Sequence, residues 1–321
     1  MKRILRCTGF FLVCILLLSQ SVLAQSLIPV GEVIGIELAD GSVTVAGFDE
    51  TLGANARREG LQTGDKILKI DDTSVTSAQD VRYALERSDG RVEVSVLREG
   101  KEKKLNIHPQ ITPDGPKLGV YLKQGVTGVG TVTWYDPDTG EFGALGHGVN
   151  TPDGDLLDMK QGKVYRATVV SVKKGAVGDP GQLMGALKED IPMGTLSQNT
   201  TRGIFGTTPT GWTGEELETA EPEEIRTGAA VIRSTVAGDR VQEYSVEILK
   251  IYPNAGAAGR NMLLKVTDPA LLSATGGIVQ GMSGSPIIQD GKLIGAVTHV
   301  LVNDPTTGYG IFIENMMDAA A

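Results

Sequence analysis

The chain has 321 residues, of which 40% are hydrophobic, only 5% are aromatic and 42 are glycine. This length exceeds one typical domain, and the composition favours short strands with tight turns over long helices. The formal net charge of −9 argues against a protein that binds nucleic acid or anionic lipid surfaces.

The N-terminus has the pattern of an export signal. Basic residues precede an apolar run from Phe10 to Leu18, and the small-residue pattern Val22-Leu23-Ala24 suits cleavage. The run is short for a membrane span. We therefore predict that residues 1–24 are a signal peptide, with an uncleaved membrane anchor as the alternative. Because the chain's two cysteines, Cys7 and Cys14, lie in this segment, the mature protein contains neither disulfides nor catalytic thiols.

The next part of the chain, from about Leu27 to Pro109, is predicted to be one unit. A helix is expected to begin at Ser77, whose hydroxyl and the carboxylate of Asp80 have the spacing of a capping box. The strands of this unit show short apolar runs or strict alternation. They are predicted at Val33–Leu38, Ser42–Gly47, Lys66–Ile70, Arg91–Leu97 and Lys101–Ile107.

This order of elements resembles a PDZ domain, here over residues 27–110. The segment from Gly60 to Leu68, Gly-Leu-Gln-Thr-Gly-Asp-Lys-Ile-Leu, is typical of the family. In PDZ domains, a loop of backbone N–H groups holds a peptide carboxylate or carbonyl while the peptide adds to a sheet edge. The predicted peptide-binding residues are Val33, Ile34, Gly35 and Ile36 in that loop, with Val81 and Leu85 on the helical wall.

Two alternatives concern what this PDZ unit binds. Val33 replaces the usual glycine at the start of the loop, which favours internal peptide segments over chain termini. In the other alternative, the unit only docks on its own catalytic domain.

A linker is predicted at Ile111–Pro116, followed by a β-rich domain over residues 117–321. Short strands separated by turns favour a barrel or a sandwich over βαβ units. The predicted strands are Val126–Tyr135, Lys163–Lys173, Ala229–Val236, Gln242–Tyr252, Met262–Val266, Pro286–Ile288, Lys292–His299 and Gly308–Ile313.

The strongest chemical signal is the segment Gly281-Met282-Ser283-Gly284-Ser285-Pro286. It resembles the Gly-x-Ser-Gly-Gly-Pro pattern around the nucleophile of trypsin-like peptidases, with Ser285 in place of the second glycine of the Gly-Gly pair. Glycines allow a tight, exposed turn on which the N–H groups of Gly281 and Ser283 converge as an oxyanion hole. We therefore predict Ser283 as the nucleophile of a trypsin-like β-barrel peptidase domain.

A serine nucleophile needs a base, and the chain has only three histidines. His108 ends the PDZ-like unit. His147 lies between two glycines and precedes Ser283, as the base does in trypsin-like chains. His299 follows the nucleophile by one hairpin and is predicted to be a strand residue near the site. We expect His147 to be the base, with its ring about 3–4 Å from the hydroxyl of Ser283.

The third member of a triad would be a carboxylate behind the other nitrogen of His147. Asp268 is the leading candidate because it lies between base and nucleophile in the chain. Asp155 and Asp158 compete because they follow His147 closely, and Asp304 is a weaker alternative.

Several of these segments resemble one family, stage IV sporulation protein B, the PDZ–serine peptidase of spore-forming bacteria. The resemblance covers nearly the whole chain. It is carried by Phe142–Gly148, Lys265–Pro269, Thr275–Gln289, Gly291–Val300 and Asn303–Ile311. It implies that His147 is the base, Ser283 the nucleophile and Asp268 the third member.

The resemblance also implies a biological role. Such a peptidase is exported across the inner membrane of the forespore, where it stays in the intermembrane space, is secreted or remains anchored. It cleaves itself and then a regulator of the membrane complex that processes a sigma-factor precursor. Its partners are therefore peptide and protein substrates, and neither metal nor organic cofactor is implied. The rival hypotheses are a PDZ scaffold with an inactive peptidase domain, a general quality-control protease and a purely structural exported protein.

Overall fold

The computed structural model describes residues 25–151, 154–255 and 259–321; the predicted signal peptide lies outside them. The first elements are β1 Ser26–Pro29, β2 Val33–Phe48, α1 Ala54–Arg58, β3 Lys66–Ile70, β4 Thr73–Ser74, α2 Ala78–Glu86, β5 Val92–Arg98, β6 Lys101–Ile107, β7 Gln110–Thr112 and β8 Gly115–Lys117. They are followed by β9 Val120–Tyr135, β10 Glu141–Ala144, β11 Gln161–Lys173, β12 Gln182–Leu187, β13 Gly194–Thr200, β14 Gly203–Thr207 and β15 Leu217–Glu218. After a 3₁₀ turn at Pro222–Glu224 come β16 Gly228–Thr235, β17 Val241–Ile251, β18 Met262–Val266, α3 Pro269–Thr275, β19 Pro286–Gln289, β20 Lys292–Leu301, β21 Asp304–Phe312 and α4 Ile313–Ala320.

Two six-stranded barrels form the peptidase part of the molecule. In the first, the pairings close a ring in the order β2, β9, β10, β14, β13, β11. In the second, the order is β16, β17, β18, β21, β20, β19. Each ring encloses its own apolar core, with Ile34, Phe142 and Ile204 in the first and Ile232 and Leu264 in the second. Every strand of a closed barrel is paired on both sides. The two barrels therefore hold the residues of the cleft between them in fixed positions.

The last helix ties the two barrels together. Ile313 and Met316 of α4 are fully buried and pack in one cluster with Leu27, Trp134 and Phe205 of the first barrel. The C-terminal element of the second barrel therefore contacts the first barrel, which keeps the cleft between them in a defined geometry.

The PDZ part is inserted into the first barrel. Strands β2 and β9, each 16 residues long, run through both parts. Their barrel halves pair at Val33–Leu38 with Thr131–Val126, and their PDZ halves at Val43–Phe48 with Gln124–Val120. A bulge separates the halves, with Gly41 and Gly125 in left-handed conformations (φ +73° and +63°). The inserted sheet continues as β2, β3, β5, β6 and covers its own core.

The predicted PDZ elements are present in this insertion. Ser77 caps α2 and shares a capping box with Asp80, and β5 and β6 form the predicted hairpin. In the Gly60–Asp65 turn, Asp65 is fully buried and accepts hydrogen bonds from the N–H of Gln62 and from two nitrogens of Arg98, each at 2.6 Å. The acidic residue of this turn is therefore a structural anchor of the PDZ unit.

The predicted fold class, mainly β with a PDZ domain and a β-barrel peptidase, is confirmed. Two details differ from the sequence interpretation. The expected linker at Ile111–Pro116 forms a β-hairpin between β7 and β8. Ile28, Pro29 and the segment Val33–Leu38, which the sequence interpretation places in the PDZ unit, pair with strands of the first barrel. Sequence alternation marks a strand but does not say which partner completes its sheet, because both sheets accept the same apolar pattern.

Within the described ranges, no helix has the length and apolarity needed to span a membrane. The same residues contain no group of three or more His, Asp or Glu side chains that could hold a metal ion.

Candidate active site

The segment that carries Ser283 forms two successive tight turns before β19. Gly281 and Gly284 both have positive φ, +98° and +96°, which side chains rarely adopt. A Cβ at Gly284 would also lie 2.0 Å from the carbonyl oxygen of Thr131. Met282 is fully buried and anchors the turn. The glycines of the motif are therefore required both by backbone conformation and by close packing on the first barrel.

Two threonines of β9 hold this segment, here called the nucleophile loop (residues 279–285). The hydroxyl of Thr131 donates to the carbonyl of Gly281 and that of Thr133 to the carbonyl of Gly284, both at 2.8 Å. The N–H of Thr131 donates to the carbonyl of Ser283. The nucleophile loop belongs to the second barrel, but its carbonyls are held by the first, and both threonines are fully buried.

The N–H groups of Gly281 and Ser283 are the predicted oxyanion-hole donors. Neither forms a hydrogen bond with any described residue, whereas the N–H groups of Met282, Gly284 and Ser285 all do. Both residues are half-buried, and the turn that carries them is fixed by the bonds of Met282, Gly284 and Ser285. The two free N–H groups are available to hold an oxygen that acquires negative charge.

Ser285 departs from the glycine of the trypsin-like pattern, and the structure gives the reason. Its side chain is fully buried in the second barrel, where its hydroxyl hydrogen-bonds that of Ser234 at 3.0 Å. The side chain points into the core and not into the cleft, so the departure leaves the nucleophile accessible.

The Ser283 hydroxyl does not bond a histidine in this conformation. It donates to the backbone carbonyl of Thr298 on β20, at 2.7 Å. The side chain is half-buried. A serine in this position must turn away from the carbonyl of Thr298 before it can give its proton to a base.

His147 follows β10 and stands on a strained turn. Leu145 and Gly146 both have φ of +69°, and a left-handed Leu is uncommon enough to mark a constrained position. The N–H of Leu145 donates to the carbonyl of Thr131, the same residue that holds the nucleophile loop. A Cβ at Gly146 would lie 2.9 Å from Thr298. The glycine thus lets the His147 segment approach β20 closely.

Hydrogen bonding sets the tautomer of His147. Its Nδ1 lies 2.9 Å from the carbonyl oxygen of Gly148. Because a carbonyl oxygen can only accept, Nδ1 carries the proton and Nε2 is left as the basic nitrogen. Burial lowers the pKa of His147, and the Gly148 carbonyl, which favours the charged form, offsets this only in part.

His299 lies beside His147, with ring centroids 5.1 Å apart. Its Nδ1 is buried and has no hydrogen-bond partner. Burial, the neighbouring His147 and then Arg260 lower the pKa of His299 to about 4. Two neutral imidazoles therefore lie side by side at neutral pH. The sequence predicted only that His299 is near the site, and the structure places its ring directly beside that of His147.

No carboxylate hydrogen-bonds His147 in the described structure, in contrast to the expectation for the triad. Asp268 is the N-cap of α3, where it accepts hydrogen bonds from the N–H groups of Ala270 and Leu271 and a longer one from Ser245. The competing candidates also bond elsewhere or lie in water. Asp158 pairs with Lys160, Asp155 is exposed and Asp304 accepts from two threonines. The role of Asp268 as third member remains a prediction.

The predicted carboxylate-binding loop of the PDZ unit is corrected by the structure. Val33, Ile34, Gly35 and Ile36 pair with β9, and from Ile34 to Ile36 they also pair with β11 on their other side. A strand that is paired on both edges cannot accept a peptide. The prediction failed because Ile34-Gly35-Ile36 has the apolar–Gly–apolar pattern of such loops.

A second apolar–Gly–apolar segment, Leu118-Gly119-Val120, occupies the position that the first was predicted to fill. Gly119 is left-handed (φ +67°), and a Cβ there would lie 2.2 Å from the backbone of Leu52. The N–H groups of Leu118 and Gly119 form no hydrogen bond with described residues. The repeated pattern was the signal in the sequence that could have identified this segment.

An open groove runs between this segment and α2. It has a volume of about 660 Å³, and Val81 and Leu85 lie on its helical wall opposite Val120 and Leu122. From Val120 to Gln124, β9 pairs only with β2 among the described strands, so its other edge faces the groove. The arrangement has the free sheet edge and the unpaired amides that peptide addition requires.

Sequence reasoning did not identify the residues that hold the catalytic segments. Thr131 and Thr133 carry no motif, since their role depends on a loop 150 residues later in the chain. Asn199 is a further example: its side-chain amide bonds both backbone groups of Val149 and the carbonyl of Leu157, which fixes the segment after His147. Such contacts become visible only when the barrels are folded.

Two family models match this chain. The family model for SpoIVB peptidase S55 matches residues 115–317, and that for the PDZ domain matches residues 33–108. Among solved structures, the Rv3671c protease in its inactive form shares 16% identity at a TM-score of 0.36, over 59% of this chain and 81% of that chain. Its active form, from M. tuberculosis, shares 16% at a TM-score of 0.38, over 60% and 72%. A search of curated proteins found no match.

The peptidase model covers well over half of the chain and includes His147, Asp268 and Ser283. With the PDZ match, it accounts for nearly all of the described residues. The chain therefore belongs to the SpoIVB peptidase S55 family and is a serine peptidase that carries a PDZ domain.

Proposed function

We propose that this protein is an exported endopeptidase that performs limited, regulatory proteolysis during sporulation. It cleaves itself and then a regulator of the membrane-embedded complex that processes a sigma-factor precursor, acting from the intermembrane space. The observation that supports limited proteolysis best is the insertion of the PDZ groove into the first barrel. The same strand, β9, forms the groove edge at one end and holds the nucleophile loop at the other.

In the proposed mechanism, substrate entry turns the Ser283 hydroxyl from the carbonyl of Thr298 towards Nε2 of His147. His147 takes the hydroxyl proton while the oxygen attacks the scissile carbonyl. The N–H groups of Gly281 and Ser283 hold the oxyanion, and His147 then gives its proton to the leaving amine. A water molecule, deprotonated by the same ring, attacks the acyl group, and the ring returns the proton to the Ser283 oxygen as the bond to the acyl group breaks.

The carbonyl of Gly148 performs part of the work assigned to a triad carboxylate. It fixes the tautomer and the orientation of His147, but it stabilises the imidazolium less than an anion does. The site therefore suits slow, selective cleavage of captured segments better than rapid turnover.

The PDZ groove would supply the captured segment. A substrate strand that adds to the Val120–Gln124 edge of β9 places its neighbouring residues along a strand that leads into the catalytic cleft. This arrangement gives a high effective concentration of substrate, and it favours peptide capture over a PDZ unit that only docks on its own barrels, because the groove is open.

Labelling with a fluorophosphonate probe tests the enzymatic half of the proposal. We expect the wild-type protein to be labelled and Ser283→Ala to remain unlabelled. Ser285→Ala is the matched control, since it removes a neighbouring hydroxyl that lies in the core. Absence of wild-type labelling would favour the inactive scaffold.

Incubation of the full-length protein alone tests the regulatory half. We expect a few discrete fragments from the wild type, with termini that mass spectrometry can locate, and none from Ser283→Ala. Extensive digestion of unfolded casein by the same preparation would instead favour a general quality-control protease.

A further inference from the structure

The geometry points to a subsite for an acidic side chain of the substrate, formed by Arg260, Tyr309 and His299 beside the catalytic cleft. The inference rests on the proposed peptidase mechanism and specifies the polypeptides that it selects: those with Asp or Glu close to the cleaved bond.

Backbone contacts place Arg260 near the nucleophile. The Ser283 hydroxyl donates to the carbonyl of Thr298, and the Thr298 hydroxyl donates to the carbonyl of Gly259 at 3.0 Å. Gly259 also lies against the first barrel, since a Cβ there would be 3.3 Å from the carbonyl of Gly146. Arg260 is the next residue, so its side chain starts at the rim of the cleft.

Side-chain contacts connect Arg260 to the base. Its guanidinium lies 5.2 Å from the ring centroid of Tyr309. Tyr309 is the direct cross-strand partner of His299, and directly opposed residues of an antiparallel pair project from the same face. The ring of His299 lies 5.1 Å from that of His147. Arg260, Tyr309, His299 and His147 therefore form one row.

Charge makes this row selective. The Arg260 side chain is exposed and forms no ion pair with any carboxylate of the described residues. Its two neighbouring imidazoles have lowered pKa values and are neutral at pH 7. The guanidinium is thus the single positive charge of the row, and it is held on an aromatic face. It suits a carboxylate, which it can bind through two parallel hydrogen bonds.

His299 provides a second polar group. Its Nδ1 is buried and unpartnered in the described structure, and a buried polar atom without a partner is a candidate for pairing with a ligand. As a neutral ring, it can donate one hydrogen bond to a bound carboxylate or accept one from substrate backbone.

The row also sets the distance from the cleaved bond. The separations of 5.1 Å between the imidazoles and 5.2 Å between Arg260 and Tyr309, with about 5 Å for a directly opposed cross-strand pair, put Arg260 at most about 15 Å from His147. That is about the length of four or five residues of an extended chain. We therefore expect the acidic residue within five positions of the scissile bond on one side.

Cleavage-site profiling tests the subsite. A library of peptides prepared from a whole proteome is digested with the full-length protein, with Ser283→Ala as the blank, and new termini are identified by mass spectrometry. We expect Asp and Glu to be enriched at one position within this window. Arg260→Gln should remove the enrichment, and Arg260→Glu should shift it to Lys and Arg. Arg240→Gln, which removes an exposed arginine outside the row, should keep the wild-type profile.

A matched peptide pair gives the magnitude. A cleaved peptide with Glu at the enriched position and its Gln counterpart should differ about tenfold in kcat/KM, the effect of one charge-assisted pair. Arg260→Gln should reduce this ratio to about one. Ser283-dependent cleavage without acidic enrichment, or with the same enrichment in Arg260→Gln, would overturn the subsite. Absence of any Ser283-dependent cleavage would overturn both the subsite and the proposed function.

Discussion

The two functional regions of the molecule differ in how ready they are for a ligand. In the PDZ groove, a sheet edge is open, two amides are free and the supporting turn is anchored by the buried Asp65–Arg98 pair. In the catalytic cleft, the residues are assembled, but the Ser283 hydroxyl is bound to the carbonyl of Thr298. Binding needs no rearrangement, whereas chemistry needs a side-chain rotation.

This difference suggests where control can be exerted. The barrier to activity is small and local, because breaking one hydrogen bond to a carbonyl costs on the order of 1 kcal/mol. Strand β9 connects the regions, since Val120–Gln124 borders the groove and Thr131 holds the nucleophile loop. Addition of a peptide to β9 at the groove can therefore make the nucleophile loop at the other end of β9 more or less rigid.

Replacing His147 should have the largest effect of the variants considered. His147→Ala removes the proposed general base, and we expect kcat/KM to fall by about 10²–10⁴. His299→Ala should have a much smaller effect, under about tenfold, because His299 is not in the proton-transfer step. Steady-state cleavage of a fluorogenic peptide measures both.

His108→Ala is the matched control for these histidine variants, since this exposed ring pairs with Glu59 in the PDZ part. It should leave kcat/KM near that of the wild type. A larger loss of kcat/KM in His299→Ala than in His147→Ala would indicate that His299, and not His147, is the base.

Breaking the buried pair of the PDZ unit should have the next largest effect. Arg98→Met leaves the fully buried Asp65 carboxylate without its cation. Because breaking a buried ion pair costs about 3–5 kcal/mol, we expect the free energy of unfolding of the PDZ part to fall by about this amount. Because the barrels have separate cores, we expect hydrogen exchange to accelerate in β3, β5 and β6 but not in β16–β21.

The exposed pair of Lys104 and Glu93 on the same sheet provides the control. Lys104→Met should change exchange rates little, because exposed ion pairs contribute little to stability. Equal acceleration in all strands after Arg98→Met would mean that the PDZ unit and the barrels unfold together, and the two regions would then not be independent.

The glycine turn around Ser283 and most strands could be predicted from the sequence, because each depends on local patterns. The roles of Ser283 as nucleophile and His147 as base stay predictions. Gly281 and Gly284, on either side of Ser283, are the residues that a tight turn with positive φ needs. The capping box of Ser77 and Asp80 likewise lies within four consecutive residues. Contacts between distant segments could not be predicted. The sequence does not show that Asp268 caps a helix, since an Asp-Pro pair also fits a triad carboxylate.

The groove-forming strand shows the same limit. Ile34-Gly35-Ile36 and Leu118-Gly119-Val120 are equivalent as patterns, and only strand pairing distinguishes them. A segment that is buried between two partners and a segment with one free edge can have the same alternation, because side-chain patterns report burial of faces and not pairing of edges.

Asp268 variants should have a smaller effect that separates capping from catalysis. Asp268→Ala removes a helix cap, and we expect the free energy of unfolding to fall by about 1 kcal/mol. Asp268→Asn keeps a good cap and should restore both stability and activity. Urea denaturation and peptide cleavage are measured on the same preparations. Full stability of Asp268→Asn combined with a large loss of kcat would instead identify the carboxylate as a catalytic partner of His147.

The last expected effect is the pH dependence of stability, which arises from the two half-buried imidazoles. The pKa of His299 is about 4 in the folded chain and about 6.5 when unfolded. Between these values the unfolded chain binds more protons, so the stability is fully present above pH 6.5 and falls as the pH is lowered towards 4. We expect the Tm to decrease over this range and the decrease to be shallower in His299→Gln. Since burial lowers the pKa of His147, its Nε2 stays unprotonated to a lower pH than in a free histidine, and cleavage should persist below pH 6.5. An unchanged slope in His299→Gln would show that the half-buried ring of His299 in the cleft does not control acid stability.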